Sequence, residues 1–74
     1  MGEEHLTKME QVVLEELIKG KTNKSIAKHL YISLSTVKAH VSSILHKLNV
    51  SNRVEAAVKG VYMLLAINEN RAKD

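Results

Sequence analysis

The stretch T-N-K-S-I-A-K-H-L-Y-I-S-L-S-T-V-K-A-H, from Thr22 to His40, contains two helix starts and the turn between them. Thr22 and Ser33 carry hydroxyls that can accept from the free amides of a first helical turn. After Thr22, the residues Ile26, Ala27 and Leu30 share one face of a short helix. Tyr31-Ile32 then supplies a turn, and Ser33 caps a longer helix. In that helix Val37, Val41, Ile44, Leu45 and Leu48 follow a single buried stripe. Asn49 ends it as a left-handed terminator. Two helices packed this closely need a small residue at the crossing, and Ala27 is that residue. Val37, ten positions later, closes the pair from the other side, with Ile26, Leu30 and Ile32 completing the wedge. This is the anatomy of a helix-turn-helix.

Outward from this centre the pattern stays helical. Thr7-Lys8-Met9-Glu10 fits a capping box, and Met9, Val13, Leu14, Leu17 and Ile18 fall on one face. Gly20 is suited to the left-handed position just past the end, so a first helix is predicted at about 7–19. Downstream, Ser51 is expected to cap a fourth helix, with Val54, Ala57, Val58, Val61 and Leu65 on its inner side. Its far part, from Val61 to Ile67, is apolar all round, so one face serves this domain and the other needs a second burial partner. With no alternating strand pattern and no repeat, the expectation is all-α: a four-helix domain over residues 6–67. A flexible N-terminus at 1–5 and a polar tail at 68–74 flank it.

Composition narrows the chemistry. The chain has 74 residues, of which 45% are hydrophobic, and no cysteine, proline, tryptophan or phenylalanine. That is room for one domain with a small core, so a partner or a second copy is expected. Without cysteine there are no disulfides, thiolate metal sites or cysteine nucleophiles. Tyr31 and Tyr62, the only aromatics, are too few for the stacking platforms of single-strand binders. His29, His40 and His46 lack zinc spacing, and Glu3-Glu4 and Glu15-Glu16 diverge as neighbours on a helix, so no metal, cofactor or enzyme chemistry is expected. No apolar run approaches the roughly 20 residues of a membrane span, and no secretory leader is visible. The expected location is cytoplasmic.

The net charge of +3 is unevenly placed. Residues 1–20 sum to −3, while residues 21–53 hold Lys21, Lys24, Lys28, Lys38, Lys47 and Arg53 with no acid. A basic block of this kind suits a polyanion.

The residues Leu6-Thr7, Glu10, Leu14 and Gly20, the run from Thr22 to His40, and I-L-H-K-L-N-V-S-N-R-V-E-A-A-V from Ile44 to Val58 resemble the LuxR/NarL-type (GerE-like) DNA-binding domain. The resemblance runs from about Leu6 to Val61. It is strongest in I-A-x-x-L-x-I-S-x-x-T-V-K-x-H and K-L-x-V-x-x-R-x-x-A. It implies a third helix in the major groove of duplex DNA, a fourth that pairs two subunits, and usually the output half of a response regulator or quorum-sensing regulator, occasionally a whole small protein. RNA polymerase is a further partner to be expected. Met9, Val12 and Ser42 depart from the family pattern, and Ser42 blocks transfer of any relative's target sequence.

Wheel geometry on the third helix, about 34–48, selects the reading face without the family. Ser35, Ala39, Ser42, Ser43 and His46 lie opposite the apolar stripe, with Lys38 on one shoulder and Thr36, His40 and Lys47 on the other. Lys38 can donate to guanine, Ala39 can meet a thymine methyl, and Ser42 can bond to several bases; the family points to the same three. Thr22, Asn23, Lys24, Lys28, Thr36 and Lys47 are expected at phosphates, with capping or packing an equal alternative for Thr36. Arg53 either ties the fourth helix to the third or reaches the DNA backbone, and the structural role is favoured. The dimer interface is expected at Val61, Tyr62, Met63, Leu64 and Ile67. The competing readings are a helical protein–protein interaction module and a sigma-factor-like promoter-binding domain, in which the recognition helix is usually the last.

Overall fold

The structure, a computed structural model, describes the backbone of residues 5–72 and the side chains of residues 5–67. The described residues form four helices, α1 (Lys8–Ile18), α2 (Asn23–Leu30), α3 (Leu34–Leu48) and α4 (Arg53–Ala72). No strand occurs among them. Most of the N-terminus expected to be flexible, residues 1–4, lies outside the described residues, as do residues 73 and 74.

Local chemistry fixes the first three helices where the sequence places them. Thr7 Oγ1 accepts from the Glu10 amide at 3.1 Å, and Glu10 Oε1 accepts from the Thr7 amide at 2.9 Å, a complete capping box. Thr22 and Ser33 cap α2 and α3 by accepting from the amides of Ser25 and Thr36. The three helices end on left-handed residues, Gly20 (φ +79°), Tyr31 (φ 57°) and Asn49 (φ 57°). The Lys59 ammonium donates to the Leu48 carbonyl at 2.7 Å, closing the C-terminus of α3 from α4.

α1 packs on both α3 and α4, α2 lies on α3, and α3 touches α4. The core is Val13, Leu14 and Leu17 from α1, Ile26 from α2, Val37, Val41, Ile44 and Leu48 from α3, and Ala56 from α4. Ile26, Ile44, Val13 and Val37 are fully sealed, and each such side chain contributes about 1.5–3 kcal/mol relative to exposure. Ala27, Leu30 and Ile32 pack against this cluster from the turn side. The helix-turn-helix is therefore the middle of the core.

Four expectations are corrected. Met9 is 38% exposed, and the inward position one residue on is taken by Glu10, for reasons given below. Ser51 does not cap α4: the Asn52 side chain accepts from the Glu55 amide at 2.9 Å, while the Ser51 amide donates to the Glu55 carboxylate. The inner face of α4 is the opposite of the one expected. Val54 and Val58 are 68% and 51% exposed, and Val61 and Leu65 are exposed as well. Ala56 and Gly60 are buried instead. A Cβ added at Gly60 would meet Ile18 Cδ1 at 2.9 Å, so α4 approaches α1 too closely for larger side chains. Close helix approach selects small residues, whereas a hydropathy stripe selects large ones. α4 also continues to Ala72, past the Ile67 end that the polar composition suggested.

Candidate nucleic-acid interface

The apolar stripe of α3 is held down on α1, α2 and α4, which turns its other side outward. Ser35, Lys38, Ala39, Ser42 and His46 are exposed there, five of the six residues expected to read bases. Ser35, Ala39 and Ser42 beside Lys38 are small, while Leu34, one turn before it, is 41% exposed, so a second surface can approach the backbone of α3 closely on the serine–alanine side.

Ser43, the sixth, is placed differently from the other five. It lies on the shoulder facing α1 and is half-buried, and its hydroxyl donates to Glu10 Oε2 at 2.6 Å. Lys47, one turn on, donates to Glu10 Oε1 at 2.8 Å and to the His5 carbonyl at 3.2 Å. Glu10 thus receives Lys47, Ser43 and the Thr7 amide, and these three hold its carboxyl at about 2, well below the usual 4.5. Lys47, expected at a phosphate, thus already has two partners within the chain, the Glu10 carboxylate and the His5 carbonyl.

A second buried carboxylate organises the other end of α1. Glu16 accepts from His29 Nδ1 at 2.8 Å, from Lys21 at 3.0 Å and from Lys19 at 3.4 Å. His29 first, then Lys21 and Lys19, hold its carboxyl at about 2 against burial. Arg53 has the structural role expected but a different partner. Its guanidinium donates to Asn23 Oδ1 at 2.7 Å and to the Lys21 carbonyl at 2.8 Å, which ties α4 to the start of α2 rather than to α3. The bond leaves the Asn23 amide nitrogen as the remaining polar end of that half-buried side chain.

The remaining candidates for phosphate contact surround the start of α2. Thr22, Lys24 and Lys28 are exposed and, with Ser25, Ala27 and Ile32, line an open depression beside the turn. Thr36 is exposed, and its hydroxyl is hydrogen-bonded to Ser33 at 2.8 Å. Among the described residues Lys24, Lys28 and Lys38 form no ion pair. Half of the basic block is therefore internal: Lys21, Lys47 and Arg53 have partners within the chain.

The five residues expected to pair subunits fall on two faces of α4. Val61 and Tyr62 continue the exposed stripe of Val54, Val58 and Leu65. Met63, Leu64 and Ile67 instead turn to α1, where they line a groove with Leu6, Leu14, Ile18 and Gly60. The sequence reading missed Glu10 and Glu16 as tertiary anchors. A signal was present for Glu10, which lies three, four and seven residues before Val13, Leu14 and Leu17 and so falls on their buried stripe. Among the described residues no three histidine, aspartate or glutamate side chains gather as a metal site, and no helix is long and apolar enough to cross a membrane.

Residues 4–59 match the family model of bacterial regulatory proteins, luxR family. The chain is 59% identical over 51 residues to the glycerol metabolism activator of Pseudomonas putida, covering 69% of this chain and 23% of that protein. It is 46% identical over 54 residues to the spore germination protein GerE of Bacillus subtilis (strain 168), covering 73% of each. A crystal structure of the response regulator ChrA, of a heme-sensing two-component system, superposes with a TM-score of 0.80 at 34% identity, over 88% of this chain and 32% of that one. The chain thus spans about a quarter of the activator and nearly three-quarters of GerE.

Proposed function

The chain belongs to the luxR family of bacterial regulatory proteins and forms a DNA-binding domain of that family, and we propose that it reads sequence in duplex DNA by seating α3 in the major groove. The observation that carries this reading is the outer face of α3, where Lys38, without an ion pair among the described residues, stands among Ser35, Ala39 and Ser42. Small neighbours let the helix approach the base edges, and an ammonium between them can donate to guanine O6 and N7. Ala39 suits a thymine methyl, and Ser42 and His46 add polar contacts. Lys24, Lys28, Thr22 and Asn23 engage phosphates and fix the register without reading sequence.

Two copies act together on paired half-sites. The stripe Val54–Val58–Val61–Tyr62–Leu65 is exposed, continuous and apolar, and a second copy of the same stripe would cover it. This face replaces the mixed set expected from sequence, retaining Val61 and Tyr62. The setting is cytoplasmic, where bacterial DNA lies, and the larger size of relatives such as the glycerol metabolism activator fits a signal-receiving segment elsewhere in a longer protein.

Selection from a pool of random duplexes tests the reading. The wild type should enrich one half-site, and Lys38→Ala should relax preference at one base pair, with a loss of about 1–3 kcal/mol there. An unchanged selected sequence for Lys38→Ala would place α3 wrongly. In sedimentation, Val58→Asp should shift a dimer to monomer while leaving the helical content intact, and a wild type that stays monomeric at high micromolar concentration would refute pairing through α4.

A further inference from the structure

Three helices of this chain end on a left-handed residue, and the third choice is unlike the others. α1 ends toward Gly20 and α3 at Asn49, the two residue types that adopt this conformation at least cost. α2 ends at Tyr31, with φ 57° and ψ 42°. For a bulky side chain that backbone is strained. The conformation is fixed by the turn: the amides of Tyr31 and Ile32 both donate to the Ala27 carbonyl.

Nothing within the described chain offsets the strain. Tyr31 is 93% exposed, so its ring buries almost no surface. Among the described residues its hydroxyl has no hydrogen-bond partner. A glycine here would serve the fold at least as well. The position is one turn after the exposed Lys28 and just ahead of the Ser33, Ser35 and Thr36 hydroxyls at the start of α3.

We infer that Tyr31 is a DNA-contacting residue whose phenol donates to a phosphodiester oxygen at the rim of the groove. The inference rests on the seating of α3 proposed above. In a helix-turn-helix the first residues of the second helix approach the base edges, so the turn just before them lies beside the flanking phosphates. A phenol reaches farther than a serine and donates without carrying charge, and tyrosine is among the side chains that bond phosphate oxygens. The ring also brings apolar area to the sugar at little entropic cost, having only two side-chain torsions.

Being neutral, this contact has a signature separate from that of the lysines. It releases no counterion, so its loss weakens binding equally at every salt concentration. Fluorescence anisotropy with a labelled random-sequence duplex, run on wild type, Tyr31→Phe and Tyr31→Gly across a salt series, tests it together with thermal melts. Tyr31→Phe, which keeps the strain and loses the hydroxyl, should bind about tenfold more weakly with an unchanged salt slope and Tm. Tyr31→Gly should bind at least as weakly as Tyr31→Phe, yet melt at or above the wild-type Tm.

Variants that bind within twofold of wild type would overturn the inference while leaving the DNA reading intact, and would assign the exposed ring to a protein partner or to none. A Tyr31→Gly that melts below wild type would overturn the strain argument. A wild type with no affinity for duplex at low salt would overturn both this inference and the seating of α3 on which it rests.

Discussion

Of the six cations between Lys21 and Arg53, three have partners within the chain and three form no ion pair among the described residues, a difference that is measurable on DNA. Lys21 lies 3.0 Å from Glu16, Lys47 lies 2.8 Å from Glu10, and Arg53 is bound to Asn23 and the Lys21 carbonyl. Each phosphate neutralised on a duplex adds about 0.9 to the slope of log affinity against log salt. Lys24 and Lys28 at phosphates, with Lys38 displacing counterions from the groove as well, then predict a slope of about −2.7 for each bound protomer, against about −5.4 if the whole block faced DNA. Between about 50 and 200 mM salt the affinity should fall about 40-fold rather than about 1,800-fold. The assay is anisotropy on a duplex short enough to hold one protomer. Lys28→Ala should flatten the slope by about 0.9. Lys47→Ala should leave the slope unchanged and instead cost about 3 kcal/mol of stability, because Glu10 would stay buried with its cation removed. A slope near −5 per protomer, or a Lys47→Ala that flattens the slope as much as Lys28→Ala, would refute the partition of the block.

Two further outcomes concern the scaffold. Glu10 and Glu16 titrate at about 2 in the folded chain against 4.5 otherwise. Their stabilisation is therefore fully present above pH 4.5 and lost as the pH falls from 4.5 toward about 2. Denaturant melts should show a steep loss in that window, and Glu10→Gln should flatten part of it; parallel curves for the two proteins would count against the buried pair. At the α1–α4 crossing, Gly60→Leu should cost at least about 2 kcal/mol by overpacking Leu14 and Ile18. A melting curve indistinguishable from wild type would show that the helices can separate there without penalty.

The boundaries of α1, α2 and α3 were legible because they are set within four residues of sequence. Thr7, Thr22 and Ser33 bond to amides three positions away, and Gly20 and Asn49 accept the left-handed turn by their own chemistry. The inner stripe of α3 was legible because it packs on three elements and so must be continuous. α4 was misread because it packs closely at only one stripe, where Ala56 and Gly60 permit approach. Its larger apolar residues lie outside, where a hydropathy pattern alone would place the core. The capping role of Glu10 was visible at a spacing of three residues. Its bonds to Ser43 and Lys47 span 33 and 37 residues, and no local pattern announces them.

The hidden carboxylates also bear on what the site can do. A free lysine at the surface attracts the phosphates of correct and incorrect sequences alike, so it strengthens binding without improving discrimination. Committing Lys21 and Lys47 to Glu16 and Glu10 keeps two charges out of that indiscriminate term. The same bonds fix geometry: Glu10 clamps one shoulder of α3 through Ser43 and Lys47, and Glu16 clamps α2 through His29. Base readout needs side chains held within fractions of an ångström of productive positions, which loosely held helices do not provide. Position and sparing of charge thus come from the same residues, and it follows that Glu10→Gln should lose more discrimination between sequences than affinity for any one of them.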